Sequence, residues 1–187
     1  MNNSTNHKIN QVSEKTLVIG IDIAKRKHYA CAVDDRGRVL HKSFPIRQSA
    51  EGFTTFYEQL LALKNKHEKS EILVGFEPTG HYWMNLAAHL TAHGIRYVLV
   101  NPSHVKKSKE LDDNLQTKND VKDAMVIAKL IRDGRFSFPR ILEGIEAELR
   151  NGASHRASLQ KELGIITNRI IRWTDRFFPE FQHVFKD

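Results

Sequence analysis

The sequence predicts an α/β fold: a mixed five-stranded sheet flanked by helices, followed by a helical, coiled-coil-like segment. Three observations predict it. The β-prone runs at 17–22, 29–33 and 38–44 are joined by turns too short for a parallel crossover, so they form an antiparallel meander. Strand, helix and strand patterns then alternate between Ile72 and Val100, which suits parallel pairing. Beyond Pro139 the apolar residues recur in alternating steps of three and four.

The elements follow in order. MNNSTNHKIN lacks the apolar stretch of a secretory signal or anchor, and residues 1–16 are expected to be a flexible tail. Leu17–Asp22 is the first strand, and the polar turn Ala24-Lys25-Arg26-Lys27 separates it from Tyr29–Val33. Asp34-Asp35-Arg36-Gly37 suits a hairpin turn into a third strand, Arg38–Phe44. Ser49 is an N-cap for a helix that places Phe53, Phe56, Leu60 and Leu63 on one side. A strand at Ile72–Glu77, a helix from Gly80 or His81 and a strand at Ile95–Val100 come next. Asn101-Pro102 opens a short basic helix through Lys109. Lys118–Ile131 has helical apolar spacing and is closed by Gly134 and Pro139. The seam Leu142, Ile145, Leu149, Gly152, Arg156, Leu159, Leu163, Ile166, Ile170, Trp173 and Phe177 fits either a dimerising helix or one packed on its own domain. Gly152 and Arg156 interrupt it, leaving a bend and a single rod both open.

Composition narrows the function. With 40% hydrophobic and 27% charged residues the chain is of a globular class, and no apolar run approaches a bilayer span. The net charge of +7 permits a polyanionic partner without naming one. A lone cysteine, Cys31, excludes an intramolecular disulfide and a cysteine-cluster zinc site, and it reads as a small buried hydrophobe. No GxGxxG or GxxxxGK string supports a nucleotide-phosphate loop.

Acids stand where packing favours apolar residues. Gly20 and Asp22 share one face of the first strand, as Gly75 and Glu77 share one face of the fourth. A glycine two residues before an acid, in both strands, suggests that something passes close over the sheet. Asp120 and Asp123 lie three apart on one helical face. If that helix crosses the sheet, four carboxylates converge, and each pair near 4 Å costs about 4 kcal/mol at an effective dielectric of about 20. Three such pairs would cost about 12 kcal/mol, comparable with the stability of a whole domain. Divalent cations offset this repulsion, and an all-oxygen donor set favours Mg2+ or Mn2+ over zinc. Two ions roughly 4 Å apart suit phosphodiester chemistry.

The strings GIDIAKRKHYACAVD (20–34), GFEPTGHYW (75–83), VNPSHVKKSKE (100–110) and TKNDVKDA (117–124), in this order, resemble the N-terminal half of transposases of the insertion-sequence-110 group. The resemblance spans residues 17–135 and continues more weakly to Phe178-Pro179-Glu180. It implies an RNase H-like, RuvC-like domain over 17–136 whose DEDD site uses Asp22, Glu77, Asp120 and Asp123 as catalytic residues and metal ligands, with two Mg2+ ions for which Mn2+ substitutes. It also implies DNA transposition by site-specific recombination in the bacterial or archaeal cytoplasm, at the nucleoid and away from membranes. An element-encoded guide RNA and a homo-oligomer, dimer or tetramer, built partly through the helical segment 137–187, belong to the same expectation. Relatives of this kind continue into a serine-bearing second domain, so this chain is expected to be a fragment incomplete for recombination. Where the family commonly has threonine and arginine beside the last acidic pair, this sequence has Asn119 and Val121.

Basic residues complete the reading. Lys25, Arg26 and Lys27 follow Asp22, Lys106, Lys107 and Lys109 follow the last strand, and Arg169 and Arg172 lie on the long helix. All are candidates for nucleic-acid phosphate contact, which positions a backbone without reading its sequence. Two other functions fit the same residues: a stand-alone RNase H-fold nuclease or Holliday junction resolvase, and a non-catalytic RNA-binding dimerisation module.

Overall fold

The computed structural model describes residues 3–112, 120–140 and 144–185, which fall into two compact units, Met1–Pro139 and Arg140–Asp187. In the first, five strands form one mixed sheet in the order β3-β2-β1-β4-β5. They are β1 (Thr16–Asp22), β2 (Lys27–Val33), β3 (Val39–Arg47), β4 (Glu71–Phe76) and β5 (Arg96–Leu99). The first three are antiparallel neighbours, and β4 joins β1 in parallel, as does β5 with β4. The expected architecture is therefore the observed one.

β1 is buried on both faces. Leu17, Ile19 and Ile21 face a core completed by α2 (Ala50–Lys66) and α3 (Trp83–Ala92). Val18 faces a second core built with α4 (Pro102–Asp112) and α5 (Asp120–Arg132), through Val105, Ala124, Ile127, Ala128 and Ile131. Helices on both faces explain why β1 reads as a continuous apolar run.

Local signals decide most boundaries. The Ser49 hydroxyl accepts from the Gly52 amide at 3.1 Å, capping α2, whose buried residues are Phe53, Phe56, Leu60 and Leu63. Asn101 Oδ1 accepts from the Ser103 amide at 2.9 Å at the start of α4. Gly134, at φ 69°, ends α5, where the Arg135 amide reaches back to the Leu130 carbonyl at 2.9 Å. Cys31 is buried, and burial pushes its thiol up to about 11.

Three boundaries depart from the sequence reading. Residues expected to belong to a flexible tail include α1 (Asn3–Ile9), and Val12 packs against the second core, so apolar anchoring overrides the polar composition. β3 runs through Pro45, beyond the expected end at Phe44; it is an edge strand, where a missing amide donor is tolerated. The helix expected from Gly80 or His81 begins at Trp83, after a turn at Gly80 with φ 56°.

The second unit is dominated by α6 (Gly144–Phe177), one continuous helix of 34 residues followed by the short α7 (Phe181–Val184). The bend left open at Gly152 and Arg156 is absent. No α6 residue is buried within the chain, and the seam residues Leu159, Leu163, Ile166, Ile170, Trp173 and Phe177 are all more than half exposed. Leu142 lies outside the described residues.

Candidate functional site

The site is built at the C-terminal ends of two adjacent parallel strands. β1 and β4 pair in register through Gly20 with Gly75 and Ile21 with Phe76, so Asp22 and Glu77 stand one step beyond the last paired position, at the ends of neighbouring strands. Parallel neighbours are about 4.8 Å apart, which brings the two acids to one sheet end. Both are half-buried. The Glu77 carboxylate accepts from the Thr79 hydroxyl at 3.4 Å, and its carbonyl accepts from the Thr79 amide at 2.8 Å, turning the chain away from the sheet before α3.

Over the same end passes α5. A Cβ on Gly20 would strike the Ala124 carbonyl oxygen and the Ala128 amide, and one on Gly75 would meet the Ile131 and Val98 side chains. The two glycines that precede the two acids are thus where the helix is seated on the sheet. Seating it there sets Asp123, next to Ala124, in a buried position with 9% of its surface exposed. Asp120 is the first residue of α5, and its side chain lies outside the described residues, as do Lys118 and Asn119 entirely.

The Asp123 carboxylate is held by the Lys109 ammonium of α4 at 2.7 Å. This places the last basic residue expected on α4 against an acid of the same site. Lys106 and Lys107 are exposed, as are Lys25 and Arg26 in the turn between β1 and β2 and Lys27 at the start of β2, with the Lys27 ammonium 5.0 Å from the Tyr29 ring centre. Arg169 and Arg172 lie exposed on α6, in the other unit.

A buried network that sequence reasoning missed braces the two acidic strand ends. His28 is fully buried. Its Nδ1 accepts from the Ala24 amide at 3.1 Å, which leaves the ring proton on Nε2, donated to Gln48 Oε1. The Gln48 amide group donates onward to the Tyr82 carbonyl at 3.0 Å, and the Gln48 backbone amide donates to the Arg26 carbonyl at 3.1 Å. The turn after Asp22 is thereby tied to the loop after Glu77. No spacing in the sequence announces it, because the partners come from three separate segments; an isolated polar pair flanking apolar strands is the one available signal.

A divalent cation would find the right donor chemistry here: carboxylate oxygens, one of them already neutralised by a cation in the form of Lys109. Among the described residues, no set of three or more His, Cys, Asp or Glu side chains is gathered closely enough to hold a metal ion. Also among them, no helix is long and apolar enough to cross a membrane.

Fold and strand register together define an α/β domain that sets two acids, Asp22 and Glu77, at the ends of adjacent parallel strands, with a helix seated closely on the same sheet. Residues 19–179 match the model DEDD_Tnp_IS110, described as Transposase, and the chain belongs to that family. It is 27% identical over 163 residues to a Sinorhizobium fredii protein provisionally named transposase y4uE, covering 86% of this chain and 44% of that one. It is 29% identical over 169 residues to an uncharacterized 44.8 kDa protein of insertion element IS116 from Streptomyces clavuligerus, covering 89% of this chain and 40% of that one. The chain therefore spans less than half the length of these relatives. Among solved structures, T. thermophilus RuvC in complex with a Holliday junction substrate overlays with a TM-score of 0.43 at 16% identity, over 66% of this chain and 99% of that one. A ROK family glucokinase from Streptomyces griseus, in complex with glucose and AMPPNP, overlays with a TM-score of 0.32 at 19% identity, over 50% of this chain and 36% of that one.

Proposed function

We propose that this chain is the DEDD catalytic part of a DNA transposase, with Asp22, Glu77, Asp120 and Asp123 holding divalent metal at the sheet end. The observation that carries the reading is the register of β1 with β4, which sets Asp22 beside Glu77, under a helix that Gly20 admits to the same end with Asp123 buried. Magnesium, or manganese in its place, would supply two Lewis-acid charges that favour attack on a phosphodiester and departure of its leaving oxygen. The chain's own residues do the remaining work. Asp22, Glu77 and Asp123 would offer oxygen donors, and the His28–Gln48 network ties together the loops that follow Asp22 and Glu77. Lys25, Arg26, Lys27, Lys106 and Lys107 present ammonium and guanidinium groups that would hold the DNA backbone.

Complete transposition, in this reading, needs a serine-bearing domain and an element-encoded guide RNA beyond this chain. The exposed α6 seam would pair with a second copy, and Arg169 and Arg172 on the same helix would grip nucleic acid. In a full-length protein that contains this domain, Asp22→Asn is expected to lower Mg2+-dependent strand exchange by at least about 100-fold while the far-ultraviolet circular dichroism stays unchanged. Full activity in that variant would refute the reading. Metal-dependent nicking by the 187-residue chain alone would favour a stand-alone nuclease instead.

A further inference from the structure

We propose that Lys109 is an internal counter-ion of the acidic site, occupying Asp123 until metal binds, and so couples metal loading to capture of a nucleic-acid phosphate. The inference rests on the metal-site reading of Asp123 given above and assigns a positioning role to a residue of the neighbouring helix.

Four observations support it. Lys109 Nζ lies 2.7 Å from Asp123 Oδ2, in a pair whose acid side chain is 13% exposed and whose lysine is 39% exposed. Val105, one helical turn earlier on the same face of α4, is buried in the core shared with α5, so Lys109 is aimed at α5 by packing. Lys106 and Lys107 point to solvent from the adjoining positions, so the inward ammonium adjoins an outward basic ridge. Finally, Asp123 is buried next to Ala124, whose carbonyl lies against Gly20, and a carboxylate without a counter-charge would be costly there.

A divalent cation that takes Asp123 as a ligand cannot leave the ammonium in place, since like charges repel at that distance. Lys109 therefore exchanges partners. Its flexible four-carbon stem lets the ammonium swing outward, and the anion that a bound DNA backbone brings to this ridge is phosphate. Metal affinity is held low while no phosphate is available, and rises when nucleic acid gives Lys109 a second partner. Both legs involve only the exchange of ionic contacts.

The test is Mn2+ titration of the 187-residue chain by calorimetry, on wild type, Lys109→Met, Lys109→Gln, Lys109→Arg and Asp123→Asn. Without DNA, Lys109→Met and Lys109→Gln are expected to bind Mn2+ about 3- to 10-fold more tightly than wild type, because the competing cation is gone, whereas Lys109→Arg stays at the wild-type value. Adding a non-cleavable DNA duplex is expected to tighten Mn2+ binding to wild type but not to Lys109→Met. Unchanged or weaker Mn2+ binding by both neutral variants would overturn the counter-ion role while the Asp123-dependent site stood. Equal Mn2+ binding by wild type and Asp123→Asn would overturn the metal-site reading and this inference with it. Melting in EDTA separates a folding defect: the neutral variants are expected to melt lower than wild type and to gain more from Mn2+, a gain that a purely structural lysine would not produce.

Discussion

His28 shows how a single titratable residue can brace this site. Burial pushes its imidazole below the ordinary value of 6.5, and the Ala24 amide, which can only donate, requires a lone pair on Nδ1. Between the folded value and 6.5 the unfolded chain binds the proton and the folded chain does not, so stability rises with pH across that window. The contribution is complete above about 6.5 and is lost as pH falls toward the folded value. His89, lowered by burial and then by the charge of neighbouring His93, adds a slope of the same sign. His28→Gln is therefore expected to flatten, without abolishing, the fall in urea midpoint between pH 7 and pH 5. An unaltered slope would show that His28 does not titrate with folding. Reading the sequence could find the acids, since a strand ending in Asp or Glu after Gly is a local pattern. It could not find this brace, nor the Lys109–Asp123 pair, because each depends on contacts between elements that only the packed sheet brings together.

α5 carries the arrangement at the level of elements. Its close approach to β1 and β4 exists because Gly20 and Gly75 lack side chains, and it determines where Asp123 falls relative to the strand ends. Gly20→Ala is expected to destabilise the domain by about 3 kcal/mol, since the obstruction is helix backbone that cannot rotate away, measured as a lower urea midpoint at unchanged slope. A change below about 0.5 kcal/mol would mean that the helix is not seated there. The glycine spacing made this crossing legible in the sequence. Short turns likewise revealed the antiparallel strands, and strand–helix–strand alternation revealed the parallel ones. Other boundaries were less visible for identifiable reasons. Pro45 reads as a strand breaker until β3 is known to be an edge, and the polar stretch before Ile9 reads as a tail until Val12 is seen to pack on the core.

At the scale of the whole molecule, the two units differ in how they satisfy their apolar surface. The first closes two cores around one sheet, whereas the second is a long helix whose apolar seam residues are exposed. In the proposed oligomer that seam is covered by a second copy, because apolar residues in alternating steps of three and four match an identical partner. Sedimentation should then show concentration-dependent association, and Ile166→Asp should raise the dissociation constant at least about tenfold by burying a charge in the seam. A monomer at all concentrations would exclude self-pairing by this chain. Anomalous scattering from crystals of the chain grown with Mn2+ checks the proposed acidic site: a manganese peak touching the Asp22 and Asp123 carboxylates at the β1 end is expected, whereas ordered manganese only elsewhere, or none at saturating concentration, would refute metal binding there.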